Sequence, residues 1–169
     1  MALSFSLPNY TSILVKGVDS EQLLQGQVSC DLSLNKGYFD GLFCDEKGYV
    51  ITNAVIIKED FFTIIVKKSV SKSLIKELEK FAKFYDCNIS EDDQNIYGIQ
   101  EKNIFKKYVG ENRSELTSSD WDIETMKNFC FDIEEQSSNK FRANELGYKF
   151  DDYISYDKGC YRGQEIIAR

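Results

Sequence analysis

Histidine is absent from this sequence. That absence excludes Ser-His-Asp and Cys-His nucleophilic catalysis, HExxH metallohydrolase chemistry and imidazole acid–base work. Chemistry is left to cysteine, carboxylate, lysine, tyrosine or a bound cofactor. Proline occurs once, so the chain has few hard punctuation marks. No apolar run approaches the roughly 18 residues of a membrane helix. The opening MALSFSLPNY has neither the basic n-region nor the apolar core of a secretory signal, so none is expected. There is no CxxC pair: Cys30, Cys44, Cys87, Cys130 and Cys160 are spread out and odd in number. This argues against a disulfide framework and a standard zinc site, and for free thiols in a reducing, cytoplasmic setting. No metal ligands are assigned. No repeat or low-complexity stretch is present.

What is there suits a single domain over 1–169. The 169 residues are 42% hydrophobic and 29% charged, and a domain of this size buries roughly 70% of its unfolded surface. Net charge is 21 − 28 = −7. That field repels nucleic acid, so no tight direct RNA binding is expected.

YTSILVKG (10–17) reads as a strand, and Asp19 or Ser20 can cap a short helix through SEQLLQGQ. YFDGLFC (38–44), the turn DEKG (45–48) and YVITNAVIIK (49–58) make a hairpin closed at Gly48. FFTIIV (61–66) is a buried strand. Apolar residues three and four apart predict a helix over 71–85, with Leu74, Ile75, Leu78, Phe81, Ala82 and Tyr85 inward. Its Lys72, Lys76, Lys80 and Lys83 form a solvated stripe or, alternatively, an anion-attracting ridge. CNISEDDQ (87–94) begins strand-like and ends in an acidic turn, later strands are expected at 96–100 and 104–109, and a polar loop over 111–120. For 121–131 the pattern leaves strand then helix, or the reverse, open. Residues 134–140 read as loop, and the C-terminal ISYDKGCYRGQEIIAR as a turn then a strand. Strands, a helix and more strands predict α+β. The chain stops inside the run Ile166-Ile167-Ala168-Arg169, which reads as a truncation.

The densest chemistry lies in Lys158-Gly159-Cys160-Tyr161-Arg162-Gly163-Gln164-Glu165. In an extended segment Lys158, Cys160 and Arg162 point the same way. Nearby cations favour a thiolate, making Cys160 the candidate reactive thiol. The alternative is a glycine-framed turn around a small buried cysteine. Asp31, Asp40 and Asp45 form a carboxylate cluster if their loops meet, or are turn and cap residues.

KGCYRGQE resembles the KGCYxGQE signature of the YgfZ family, folate-binding proteins related to the T-protein (aminomethyltransferase) of the glycine cleavage system. LLQGQVSCDL (23–32) is similar to the family's LQGQxTxD segment, and CDEKGYV (44–50) to its CDxKGR hairpin, with Tyr49 at the basic position. FRANELGY (141–148) departs from the family's Phe-x-Pro-Gln segment, with Ala143 for proline and Asn144 for glutamine.

The resemblance implies a T-protein-like N-terminal folate-binding domain of mixed or antiparallel sheets and packed helices, with the family's C-terminal β-barrel missing. It implies tetrahydrofolate or another reduced folate as cofactor. It also implies support of iron–sulfur protein maturation or repair and, through a client enzyme, of tRNA modification. The motif maps Cys160 as the functional cysteine. Tyr10 and Trp121 map to folate-associated aromatic positions; the alternative for each is a core aromatic. Gln25 and Gln27 carry amides suited to a pterin edge, or are polar surface at a helix end. The implied partners are folate and iron–sulfur clients or assembly factors, with no membrane. Two rival functions are an aminomethyltransferase of the glycine cleavage type and a non-catalytic iron–sulfur assembly scaffold.

Overall fold

The computed structural model describes residues 2–112 and 114–167. Eight strands build two antiparallel sheets. They are β1 (Leu3–Ser6), β2 (Tyr10–Lys16), β3 (Tyr38–Cys44), β4 (Val50–Lys58), β5 (Phe62–Lys67), β6 (Asn88–Asp92), β7 (Ile96–Glu101) and β8 (Ile104–Val109). The larger sheet runs β3-β4-β5-β2-β6 and the smaller β1-β7-β8. Helices α1 (Ser20–Gln25), α2 (Lys68–Ala82), α3 (Ser118–Lys127), α4 (Phe150–Tyr153) and α5 (Gln164–Ile167) complete the fold, with a 3-10 turn at Ala143–Glu145.

The strands alternate as their side chains demand. One face of the larger sheet presents Ile13, Ile56, Ile64 and Val66 to Leu23 and Leu24 of α1 and to Val70, Leu74 and Leu78 of α2. The opposite face presents Tyr10, Val55 and Ile65 to Phe5, Leu7, Ile96 and Trp121. A third core forms where residues 133–154 wrap over the β3–β4 hairpin, burying Leu42, Cys44, Val50, Leu146, Tyr148 and Tyr153. The central strands are thus buried on both faces, which is why 49–58 reads as nearly continuous apolar sequence.

The hairpin turns through Asp45–Gly48, with Gly48 at φ +78°; the Asp45 carboxylate accepts from Lys47 and Tyr49 N–H, both at 2.9 Å.

Several elements differ from the sequence expectation. Helix α2 starts at Lys68 and ends at Ala82, three residues early at both ends. Its inward face is as expected, and Lys72, Lys76, Lys80 and Lys83 are exposed. Asp19 does not cap α1 with its side chain; its carboxylate instead accepts from Asp86 N–H at 2.8 Å. Residues 121–131 contain helix only, because Thr117 and Asp120 form a capping box that starts α3 at Ser118. That helix also shortens the polar loop expected over 111–120, one of whose residues, 113, lies outside the described residues. The C-terminal strand does not form: 155–163 is turns and irregular chain, and Gln164–Ile167 is a helical turn. The last two residues of that segment lie outside the described residues.

Candidate functional site

The three segments singled out in the sequence meet in space. Lys158 is buried, and its Nζ donates to the carbonyls of Gln25, Val28 and Cys30 at 2.8, 2.7 and 2.8 Å. Arg162 N–H donates to the Gly26 carbonyl at 3.1 Å. The Arg162 guanidinium reaches Glu46 in the hairpin turn at 2.6 Å and Glu77 on α2 at 2.8 Å, and lies over the Phe81 ring at 5.3 Å. Gly163, at φ +81°, sits so close to the Asp45 carbonyl that a side chain would collide with it, and it packs tightly against the Gly48 backbone. Tyr161 is buried beneath the Lys158 ammonium, 5.1 Å from its ring centre, and its N–H donates to Gln164 Oε1 at 3.2 Å. Residues 23–31, 44–50 and 158–164 therefore form one clasp.

Two motif residues stand apart. Gly159 has open space where a Cβ would be, and Cys160 is exposed. The side-by-side arrangement of Lys158, Cys160 and Arg162 is not present, because the segment is not a strand. Lys158 is committed to three carbonyls and Arg162 to two carboxylates. Cys160 also differs from the other thiols in access. Cys30 and Cys44 are buried, and burial pushes each thiol up to about 12; burial likewise pushes Cys130 up to about 11. Those groups stay protonated at neutral pH. Glu165 is exposed on α5.

Tyr10 and Trp121 converge, but inside the core. Each is 1% exposed. The Tyr10 hydroxyl donates to Asp132 Oδ2 at 2.6 Å, and Trp121 Nε1 lies 3.5 Å from the same oxygen. Lys67 and Lys107 each place an ammonium about 5 Å from the Tyr10 ring, at 5.3 and 5.2 Å. Phe5 and Phe105 pack edge-on against Trp121, and Gly98 lies against its ring. Neither ring has a free face on which a flat ligand could stack. Gln25 is also occupied: its Nε2 donates to Asp31 at 2.7 Å and its Oε1 accepts from Leu32 N–H at 2.9 Å. Gln27 is buried. The sequence expectation for these four is thus met by two buried core aromatics, an amide engaged within its own loop and a buried glutamine.

Asp132 is the hub that sequence reading missed. It pairs with buried Lys107 from β8 and accepts from Asn53 Nδ2 at 2.9 Å. Burial alone would raise its pKa, but Lys107 and the Tyr10 hydroxyl more than offset this and hold it below the ordinary carboxylate value. Beside it, Lys67 pairs with Asp122 at 2.7 Å and Glu134 at 2.8 Å. The only sequence signal was an aspartate set between Phe131 and Ile133. Asp31, Asp40 and Asp45 do not cluster as one group: Asp31 and Asp45 bind their own turns.

A cavity of about 450 Å³ opens between the two sheets, lined by Tyr38, Tyr97, Tyr108, Ile57, Phe61 and Lys106. Tyr97 and Tyr108 stack at 5.6 Å, and the Lys106 ammonium lies 5.4 Å from the Tyr38 ring centre. Its size and aromatic walls suit a flat heteroaromatic ligand, and its lysine an attached carboxylate.

The fold is of the T-protein-like α+β class. The crystal structure of glycine cleavage system aminomethyltransferase T from Bartonella henselae matches with a TM-score of 0.54 at 18% identity, over 59% of this chain and 28% of that one. The chain is also similar, over nearly its whole length, to proteins called tRNA-modifying protein YgfZ. That of Escherichia coli O7:K1 is 26% identical over 97% of this chain and 66% of its own length. That of Buchnera aphidicola subsp. Schizaphis graminum is 28% identical over 96% and 67%. An uncharacterized Haemophilus influenzae protein is 29% identical over 100% of this chain and 69% of its own length. The chain thus spans about two thirds of the length of these curated relatives. No protein-family model matches. The resemblance to the YgfZ family, read from KGCYRGQE and its two companion segments, is borne out. No helix among the described residues is long and apolar enough to cross a membrane.

Proposed function

We propose that this chain is the folate-binding portion of a cytoplasmic YgfZ-type protein. It supports maturation or repair of iron–sulfur enzymes and, through one of them, tRNA modification. The observation that carries this reading is the clasp: residues 23–31, 44–50 and 158–164 are bonded together so that Cys160 alone among the cysteines is exposed. The names of the relatives and the T-protein-like fold support the same reading.

A reduced folate, tetrahydrofolate or a derivative, fits the cavity between the sheets better than the core around Tyr10 and Trp121. Tyr38, Tyr97 and Tyr108 would flank its rings, and Lys106 would meet its glutamate carboxylate. When bound, the folate supplies one-carbon chemistry. Lys158, Tyr161, Arg162, Gly163 and Gln164 hold the loop, and Cys160 acts as its accessible thiol toward an iron–sulfur client or assembly factor. Asp132, Lys107 and Tyr10 brace the sheet behind the cavity.

The test is a thermal-shift titration with 5-formyltetrahydrofolate. At a hundredfold its Kd a ligand adds about 2.7 kcal/mol, or several degrees of Tm. Tyr108→Ala should remove the shift. No shift with any folate at millimolar concentration would overturn the cofactor. For the thiol, Cys160→Ala should keep the fold at a cost of about 1 kcal/mol or less and fail to rescue a deletion strain under oxidative stress. Full rescue would make Cys160 structural.

A further inference from the structure

The loop that follows α1 turns its carbonyls toward one distant segment. Those of Gln25, Val28 and Cys30 accept from the Lys158 ammonium at 2.8, 2.7 and 2.8 Å. That of Gly26 accepts from Arg162 N–H at 3.1 Å, and that of Ser29 from Ser155 N–H at 3.0 Å. Backbone dipoles aimed together in this way make a centre of negative potential that needs no carboxylate. The neighbouring acid, Asp31, is committed elsewhere: it accepts from Gln25 Nε2 and from the N–H and hydroxyl of Ser33. Lys158 makes no ion pair among the described residues, and its charge lies between the carbonyls and the Tyr161 ring, whose centre is 5.1 Å away.

A lysine ammonium has three N–H donors, and here each has its own oxygen. This is how a bare monovalent cation is held once carbonyls have replaced its water shell. We infer that residues 25–30 form a binding seat for a primary ammonium ion, that Lys158 is the resident ligand carried on the chain itself, and that the filled seat, rather than the packing of the lysine stem, holds the loop that displays Cys160. The seat stands on its geometry alone; its bearing on Cys160 rests on the reading of that residue as the functional thiol. Lys158 is on this account a positioning residue.

The seat has a definite selectivity. Its carbonyls converge on a single nitrogen, so a planar guanidinium, with its N–H groups spread over a fork, does not match it. A quaternary ammonium brings charge without donors, and an alcohol brings one donor without charge. Cutting Lys158 back to alanine removes three carbons and the nitrogen, which leaves a slot with the shape of propylammonium ending at the carbonyls.

The experiment is proteinase K digestion and thermal melting of Lys158→Ala near neutral pH at fixed ionic strength, with n-propylammonium chloride added. Propan-1-ol, tetramethylammonium chloride and sodium chloride are the controls. Cleavage within residues 155–163 should be about tenfold or more faster in the variant than in wild type and should return to within about threefold of it on saturation with propylammonium. Tm should recover in parallel, with the millimolar affinity expected of so small a ligand. Ammonium chloride should restore less, because the slot left by the stem stays empty. Recovery with propanol equal to that with propylammonium would overturn the inference in favour of a packed stem. No recovery in a folded variant, or the same effect from every salt, would overturn the seat itself. Circular dichroism reports whether the variant is folded. If it is not, the wild-type protein decides: the Lys158 ammonium should give a nitrogen–proton correlation protected from exchange with water, and its absence would overturn the seat.

Discussion

Lys158 is a buried ammonium that makes no ion pair among the described residues and is held by three backbone carbonyls. Removing it leaves those carbonyls facing an apolar gap, and each buried unsatisfied acceptor is costly. Lys158→Met should therefore lose about 2–4 kcal/mol in urea unfolding at pH 7, and limited proteolysis should show cleavage near residues 156–162. Burial pulls the Lys158 amine down to about 8 from its ordinary 10.5. A depressed lysine binds fewer protons when folded than when unfolded between those values. Wild-type stability should thus gain with rising pH across that window, and Lys158→Met should lack the gain. Iodoacetamide should label Cys160 ahead of Cys30 and Cys44 because those two are buried and protonated. Equal labelling rates in the folded protein would count against the accessible-thiol role.

At the scale of elements, Gly98 on β7 shows how tightly the two layers meet. A Cβ there would overlap the Trp121 ring, so Gly98→Ala should cost about 1–3 kcal/mol. It should also shift the emission of the single tryptophan to the red as the indole is pushed toward solvent. Thr117→Ala removes the cap of α3 and should cost about 1 kcal/mol by thermal melting. The strands at 10–16, 38–44, 50–58 and 62–67 were legible because β-branched and aromatic runs ended at clear turns such as Asp45–Gly48. Helix α2 was legible from its apolar spacing, though not its ends, since Lys67 and Lys83 carry no capping signature. Helix α3 was ambiguous because its apolar residues, Trp121, Ile123 and Met126, follow no single face: Trp121 is buried while Ile123 and Met126 are exposed. The C-terminal strand was misread because two isoleucines looked like a β run, while the tether of Gly163 to the hairpin turn was invisible in one dimension. The same limit hid Asp132, whose partners Tyr10, Asn53 and Lys107 come from three different strands. The motif segments were legible; that they touch was not.

For the whole molecule, net charge and buried charge set the response to salt and acid. With a net charge of −7 and glutamates 77 and 79 set among the α2 lysines, tRNA binding should be weaker than about 10 μM at physiological salt; filter binding would test this, and submicromolar affinity lost on reversing Lys72 and Lys76 to glutamate would restore a direct role. Asp40 and Asp132 act oppositely on stability. Asp40, raised to about 6, contributes stability at low pH that is lost as pH rises from its ordinary carboxylate value through 6. Asp132, held low, contributes stability present above the ordinary carboxylate value and lost in acid. Asp40→Asn should therefore match or exceed wild type at pH 7. Asp132→Asn should lose about 3–5 kcal/mol there by stranding Lys107, with the deficit shrinking toward pH 3 in urea titrations. The tether from Lys158 to residues 25–30 also has a temporal meaning. During synthesis the first strands and α1 leave the ribosome long before residue 158 exists. Until it arrives, three carbonyls near the start of the chain must be satisfied by water and the hairpin turn has no clamp. Such distant closure slows folding. It also makes the arrival of KGCYRGQE the event that locks residues 25–30 to the hairpin turn, so the loop around Cys160 takes its folded form only once the early strands and α1 are in place.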